Sequence, residues 1–166
     1  DTTLALQLQT LTVAPTGLAV GVKPSKMTFT VKPSNNDAAA LAKDNTITIT
    51  ADKAVFAASA SNQVVSITTG GTNCGATAGT DSDGKILTVT LADSSSSACA
   101  VPKNVDFVFE ISAATAFAVN PAAGAVGVTG VTSGDTTSLT GTGYTTLALQ
   151  LQTLTVAPTG LAVGVK

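Results

Sequence analysis

Residues 2–23 read TTLALQLQTLTVAPTGLAVGVK, and residues 145–166 read the same 22 letters again, 143 positions later. Chance does not produce so long an identity, so the chain carries two copies of one unit. The pattern inside that unit decides the fold. Leu4, Leu6 and Leu8 alternate with Ala5, Gln7 and Gln9, the period-2 signature of a half-buried β-strand. The apolar positions then move to odd numbers at Leu11 and Val13. A one-residue slip turns the rest of a strand to the opposite face unless a bulge or kink absorbs it. In a two-sheet sandwich the slip lets a strand begin on one sheet and cross to the other. Pro15, Thr16 and Gly17 end the run as a turn, and residues 18–22 read as a short second strand.

Working outward, Met27, Phe29 and Val31 alternate in a third strand that stops at residues 32–36 (KPSNN). Residues 37–43 (DAAALAK) are the one helical candidate, with Asp37 as N-cap. Residues 46–50 (TITIT) turn Ile47 and Ile49 inward, and Val55 and Phe56 plug the core from a connection. Val65 and Ile67 head a strand ending at Gly70 and Gly71. Residues 85–91 (KILTVTL) put Leu87, Val89 and Leu91 on one face. Residues 105–111 give the clearest strand, with Val105, Phe107, Phe109 and Ile111 inward and Asp106, Val108 and Glu110 outward. Residues 116–119 and 126–131 add one or two more strands, and residues 133–143 read as a Gly/Thr/Ser linker. The predicted core is Phe29, Ile49, Leu87, Val89, Phe107, Phe109 and Ile111.

Short strands between turn signals, with almost no helix, predict an all-β, two-sheet sandwich of about 7–9 strands. Subtracting the second copy leaves one domain-sized module at residues 2–144. Residues 145–166 would be the first strands of the next module. Thr and Ser, 29 and 13 of them, fill exposed strand faces where charge is scarce at 11%. The order of MTFTV, TITIT with Phe56, DGKILTVTL, NVDFVFEIS and VTGVTSGD resembles immunoglobulin-like modules strung in tandem in large surface and secreted fibre proteins. That resemblance implies an immunoglobulin-like sandwich and a structural role in an extracellular filament.

The composition narrows the chemistry. Eight Lys, no Arg and a net charge of −2 leave no basic footprint for nucleic acid. No apolar run is long enough to span a bilayer as a helix. Without His, neither a Ser-His-Asp nor a Cys-His arrangement exists, and Glu110 is the only Glu. The expectation is a non-enzyme that needs no cofactor. Asp81 and Asp83 before Gly84 could open a calcium loop, but no Glu arrives to complete it, and the plainer reading is a hairpin turn. Cys74 and Cys99 form an even pair, expected as a disulfide closed in an oxidising, extracellular or cell-surface setting. Ser94, Ser95, Ser96 and Ser97 are candidates for O-linked glycans, or else a solvated loop. No Asn-x-Ser/Thr sequon occurs.

The functional expectation follows from the duplicated unit. The inter-module strand is Leu4, Leu6, Leu8, Leu11 and Val13 in the first copy, and Leu147, Leu149, Leu151, Leu154 and Val156 in the second. One module has one slot for that strand, so the second copy should start or complete another module. The partner is then the chain itself, head to tail. The copies would be linked as covalent tandem repeats, or lent between subunits by β-augmentation. An adhesive or carbohydrate-binding domain is the alternative, using loops at residues 59–62 or 72–82.

Overall fold

The computed structural model describes residues 6–94 and 96–149. Its strands are β1 (Thr10–Thr16), β2 (Lys26–Lys32), β3 (Leu41–Ala42), β4 (Thr46–Ala51), β5 (Gln63–Thr69), β6 (Cys74–Thr80), β7 (Ile86–Asp93), β8 (Ala100–Val101), β9 (Phe107–Ile111), β10 (Gly124–Thr132) and β11 (Leu139–Thr146). The all-β expectation holds. All but β3 and β8 join one closed ring in the order β1-β11-β10-β4-β7-β6-β5-β9-β2, with β2 pairing back onto β1. The pair β3–β8 forms a two-stranded flap through Leu41 and Val101.

The ring is a barrel, which corrects the open two-sheet sandwich. The strands that would have been edges each serve two neighbours. β5 pairs with β6 through Gln63, Val64 and Val65, then with β9 through Ser66 and Ile67, its register breaking between Ile67 and Thr69. β11 pairs antiparallel with β10 and parallel with β1. Each switch covers part of an edge that stray strands could otherwise recruit. The β1–β11 contact is the one parallel pairing among the named strands.

The inward phases read from the sequence fill the barrel. Phe29, Ile49, Leu87, Val89, Phe107, Phe109 and Ile111 are all buried, as are Val55 and Phe56 from the connection after β4. Phe29 stacks on Phe109 at 5.0 Å between ring centroids, and Phe107 leans on Phe109 at 5.6 Å. Such offset aromatic pairs add to what their buried area contributes.

Several local readings change. Residues 37–43 are not an α-helix. Asp37–Ala39 makes a 3-10 turn whose cap is Asn36, its Oδ1 accepting the Ala38 N–H at 2.9 Å. Leu41 is then drawn into the core as part of β3, a tertiary burial that overrides local helix preference. Val105 is exposed, since β9 begins only at Phe107. Residues 18–22 are not a strand; Ala19 makes a single bridge to Leu147. Of residues 116–119, Ala116 closes a 3-10 turn and Phe117 bridges Phe56. The supposed linker at 133–143 contains most of β11, and residues 74–80, read as loop, are β6.

Candidate module junction

The first copy of the repeated unit is built into the barrel wall. β1 runs antiparallel to β2, with Leu11 opposite Val31 and Val13 opposite Phe29, and parallel to β11, with Thr12 beside Thr142. Leu8, Leu11 and Val13 are buried. The phase slip between Leu8 and Leu11 is taken up by a bend at Gln9, whose N–H donates to the Lys32 carbonyl at 2.9 Å. Leu4 lies outside the described residues, and Leu6 is half-buried.

Two glycines shape the slot. A Cβ on Gly141 would stand 2.6 Å from both Leu11 Cγ and the Leu11 carbonyl oxygen. A Cβ on Gly130 would stand 2.8 Å from Leu11 Cδ2 and 3.6 Å from Leu8 Cδ1. Bare backbone of β10 and β11 thus forms the wall against which the two leucines lie. A glycine inside a strand often marks such a close approach; that signal was legible at Gly130, within a predicted strand, whereas Gly141 fell in residues read as linker.

The second copy begins inside the last strand. Thr146 is buried, and its Oγ1 donates to the carbonyls of Ala122 at 2.8 Å and Gly124 at 3.1 Å. Leu147 still pairs with the first copy, its N–H donating to the Leu18 carbonyl and its carbonyl accepting from Val20 N–H. Beyond that the side chains turn outward, Leu147 being 55% exposed and Leu149 73% exposed. Leu151, Leu154 and Val156 lie outside the described residues.

Asn120 locks this end. It is buried, its Nδ2 donates to the Gly17 and Ala19 carbonyls at 3.0 and 2.9 Å, and its N–H donates to the Val22 carbonyl. Sequence reasoning passed over it; the Asn120-Pro121 dipeptide was the available turn signal. Nearby, Tyr144 has a buried hydroxyl with no hydrogen-bond partner, and burial, with the Asp52 charge, pushes its pKa up to about 12.

The parallel pairing of β1 and β11 fixes the geometry of the two copies. Gln7 pairs with Thr137, Thr12 with Thr142 and Ala19 with Leu147, so both strands run the same way along the barrel. The first copy therefore enters at one end, and the second leaves from the other.

The remaining candidates sit elsewhere. Cys74 and Cys99 are disulfide-bonded beside the flap, at the entry end. Asp81 caps its own turn, Oδ1 accepting from the Lys85 and Ile86 N–H groups at 2.8 and 3.0 Å. The Ile86 N–H contributes most to holding that carboxyl below its usual range. Among the described residues no cluster of three or more Cys, Asp or Glu side chains could hold a metal ion. Ser94, Ser96 and Ser97 are exposed, and Ser95 lies outside the described residues. A shallow groove of about 260 Å³ joins the two loop regions suggested for a ligand, lined by Ser61, Asn62, Thr77, Ala78, Gly79, Thr88 and Thr90. No aromatic ring lines it for a sugar to stack on. Among the described residues no helix is long and apolar enough to cross a membrane. The chain matches no protein-family model and has no significant sequence similarity to any curated protein.

Proposed function

We propose that the chain is a structural module of an extracellular filament or surface fibre, joined head to tail through the duplicated strand as covalent tandem repeats. The observation that carries this reading is the parallel β1–β11 pairing, with copy one filling the slot between β2 and β11 in the ring. The second copy leaves at the far end and would have to reverse along the whole barrel to reach that slot. A slot on a following module lies directly in its path. The tandem arrangement is the part of the immunoglobulin-like resemblance that this reading keeps, on a closed barrel. The disulfide fits an oxidising, extracellular setting. Glycans on Ser94, Ser96 or Ser97 would coat the entry end, and no enzymatic role is proposed.

The register supplies a measurable length. Thr142 lies beside Thr12, and Thr155, the copy of Thr12, comes thirteen residues later. An extended chain rises about 3.3 Å per residue and neighbouring strands sit about 5 Å apart, so equivalent points on successive modules are at most about 50 Å apart. Electron micrographs of the native material should show fibres with an axial repeat at or below that ceiling. Intact masses should rise in whole modules within single chains. A longer repeat, or native material that is one monodisperse module, refutes the reading.

A further inference from the structure

The join between modules is short enough to hold their facing ends close together. Thr146 is buried at the end of one barrel. Leu151 is the copy of Leu8, which is buried in the core. Only Leu147, Ala148, Leu149 and Gln150 stand between these two positions. Fully extended, that stretch spans at most about 17 Å, and Leu147 is still hydrogen-bonded to its own barrel.

The surface at the exit end matches this constraint. Val22, Val119, Leu147 and Leu149 are 45%, 52%, 55% and 73% exposed, and they are four of the six most exposed large hydrophobic residues described. Backbone hydrogen bonds gather them: Asn120, next to Val119, donates to the Val22 carbonyl, and Leu147 pairs with Leu18 and Val20. A fifth, Val105, is 39% exposed at the opposite end, beside Asn104, whose N–H donates to the Pro33 and Ser34 carbonyls. Exposed apolar residues gathered at one end, rather than scattered singly, point to an interaction surface.

We infer that the Val22–Val119–Leu147–Leu149 patch is an interface covered by the entry end of the next copy of this chain, so that successive modules abut as a stiff rod. The inference rests on the tandem reading, and the length of chain between the two barrels selects its occupant. No other partner is tied to this end by four residues.

The test uses a two-module chain, residues 1–166 continued by residues 24–166. The protein has no Trp, so Val119→Trp in the first module alone reports on the patch. In the two-module chain its emission should move to shorter wavelength, and collisional quenching should fall several-fold, relative to the same substitution in the 166-residue chain. A Gly/Ser insertion between Ala148 and Leu149 should reverse both changes. Without the Trp, the two-module chain should melt above the single one, and the same insertion should abolish the gain. Unchanged emission and melting, with the second module folded and its disulfide closed, overturn the abutting interface and leave the tandem reading standing. A second module that does not fold overturns both.

Discussion

The two copies are identical in sequence, so the same substitution made in each compares their surroundings directly. Leu11→Ala removes a side chain that is 2% exposed and lies against the bare backbone of Gly130 and Gly141. Large-to-small core changes of this type cost about 2–5 kcal/mol, more where the site cannot collapse. A wall of glycine backbone has no side chains to swing into the gap, which places this site at about 3–5 kcal/mol. Against a typical folding margin of about 5–15 kcal/mol, that is a large loss. The matching change, Leu154→Ala, should leave the stability of the 166-residue chain within about 0.5 kcal/mol of the original, as a surface substitution does. The assay is urea unfolding followed by circular dichroism, with the disulfide intact. In the two-module chain, Leu154→Ala should destabilise the second module by the full Leu11→Ala amount. If Leu154→Ala weakens the 166-residue chain as much as Leu11→Ala does, the second copy is already held in the same barrel, and the junction reasoning fails.

Gly141→Ala would drive a methyl group into the Leu11 backbone and should cost about 1–3 kcal/mol or more by overpacking; equal urea midpoints for variant and parent would show that the slot is wider than its geometry implies. Tyr144→Phe removes a buried, unpartnered hydroxyl and should raise stability by about 1 kcal/mol. Because burial raises the folded pKa of Tyr144 above the unfolded one, its ionisation leaves stability untouched below pH ~10 and lowers it as pH rises towards about 12; near-ultraviolet phenolate titration follows this single Tyr, and the variant should lack this alkaline loss. Glu110 is held below the usual glutamate range, first by its hydrogen bond from Lys26 at 2.9 Å and then by Thr28. Its contribution is present at neutral pH and lost as pH falls through the lowered value, so Glu110→Gln should flatten the acid limb of a stability profile. Reducing Cys74–Cys99, a loop separation of 25 residues, should cost roughly 3.5 kcal/mol on the chain-entropy model; an unchanged urea midpoint would show that the reduced chain keeps the loop closed by other means.

The strands that sequence reading located are those with aliphatic or aromatic alternation. Met27, Phe29 and Val31, or Leu87, Val89 and Leu91, announce an inward face because burial of these side chains drives the fold. β6 and β11 carry no such stripe. β6 is CGATAGT and β11 is LTGTGYTT, and the β11 glycines face close neighbours. In β11 these are Leu11 against Gly141 and Val126 against Gly143. Read one strand at a time, those letters look like loop, and losing β11 loses the closure of the barrel. The disulfide was legible from an even cysteine count in a Ser/Thr-rich chain. The repeat marked the junction, yet its direction was not legible, because the parallel pairing of β1 with β11 joins residues 130 apart. Asn120 was hidden for the same reason, since its hydrogen bonds reach back 101 and 103 residues.

That direction also bears on how the proposed fibre would be held together. Two identical strands compete for one slot, and a strand arriving from a separate chain makes the same contacts as the resident one. Exchange between chains therefore gains nothing in burial, while it works against a resident strand tethered to β2 by the nine residues 17–25. A short tether of that kind is worth an effective concentration in the millimolar range. An incoming strand at lower concentration does not displace it. The second copy can bury Leu151, Leu154 and Val156, at roughly 1.5–3 kcal/mol each, only in a slot with no resident. Such a slot belongs to a module whose own first strand is that second copy. Covalent continuation supplies it without evicting anything, whereas a fibre of exchanged subunits would leave one unburied copy for every subunit added.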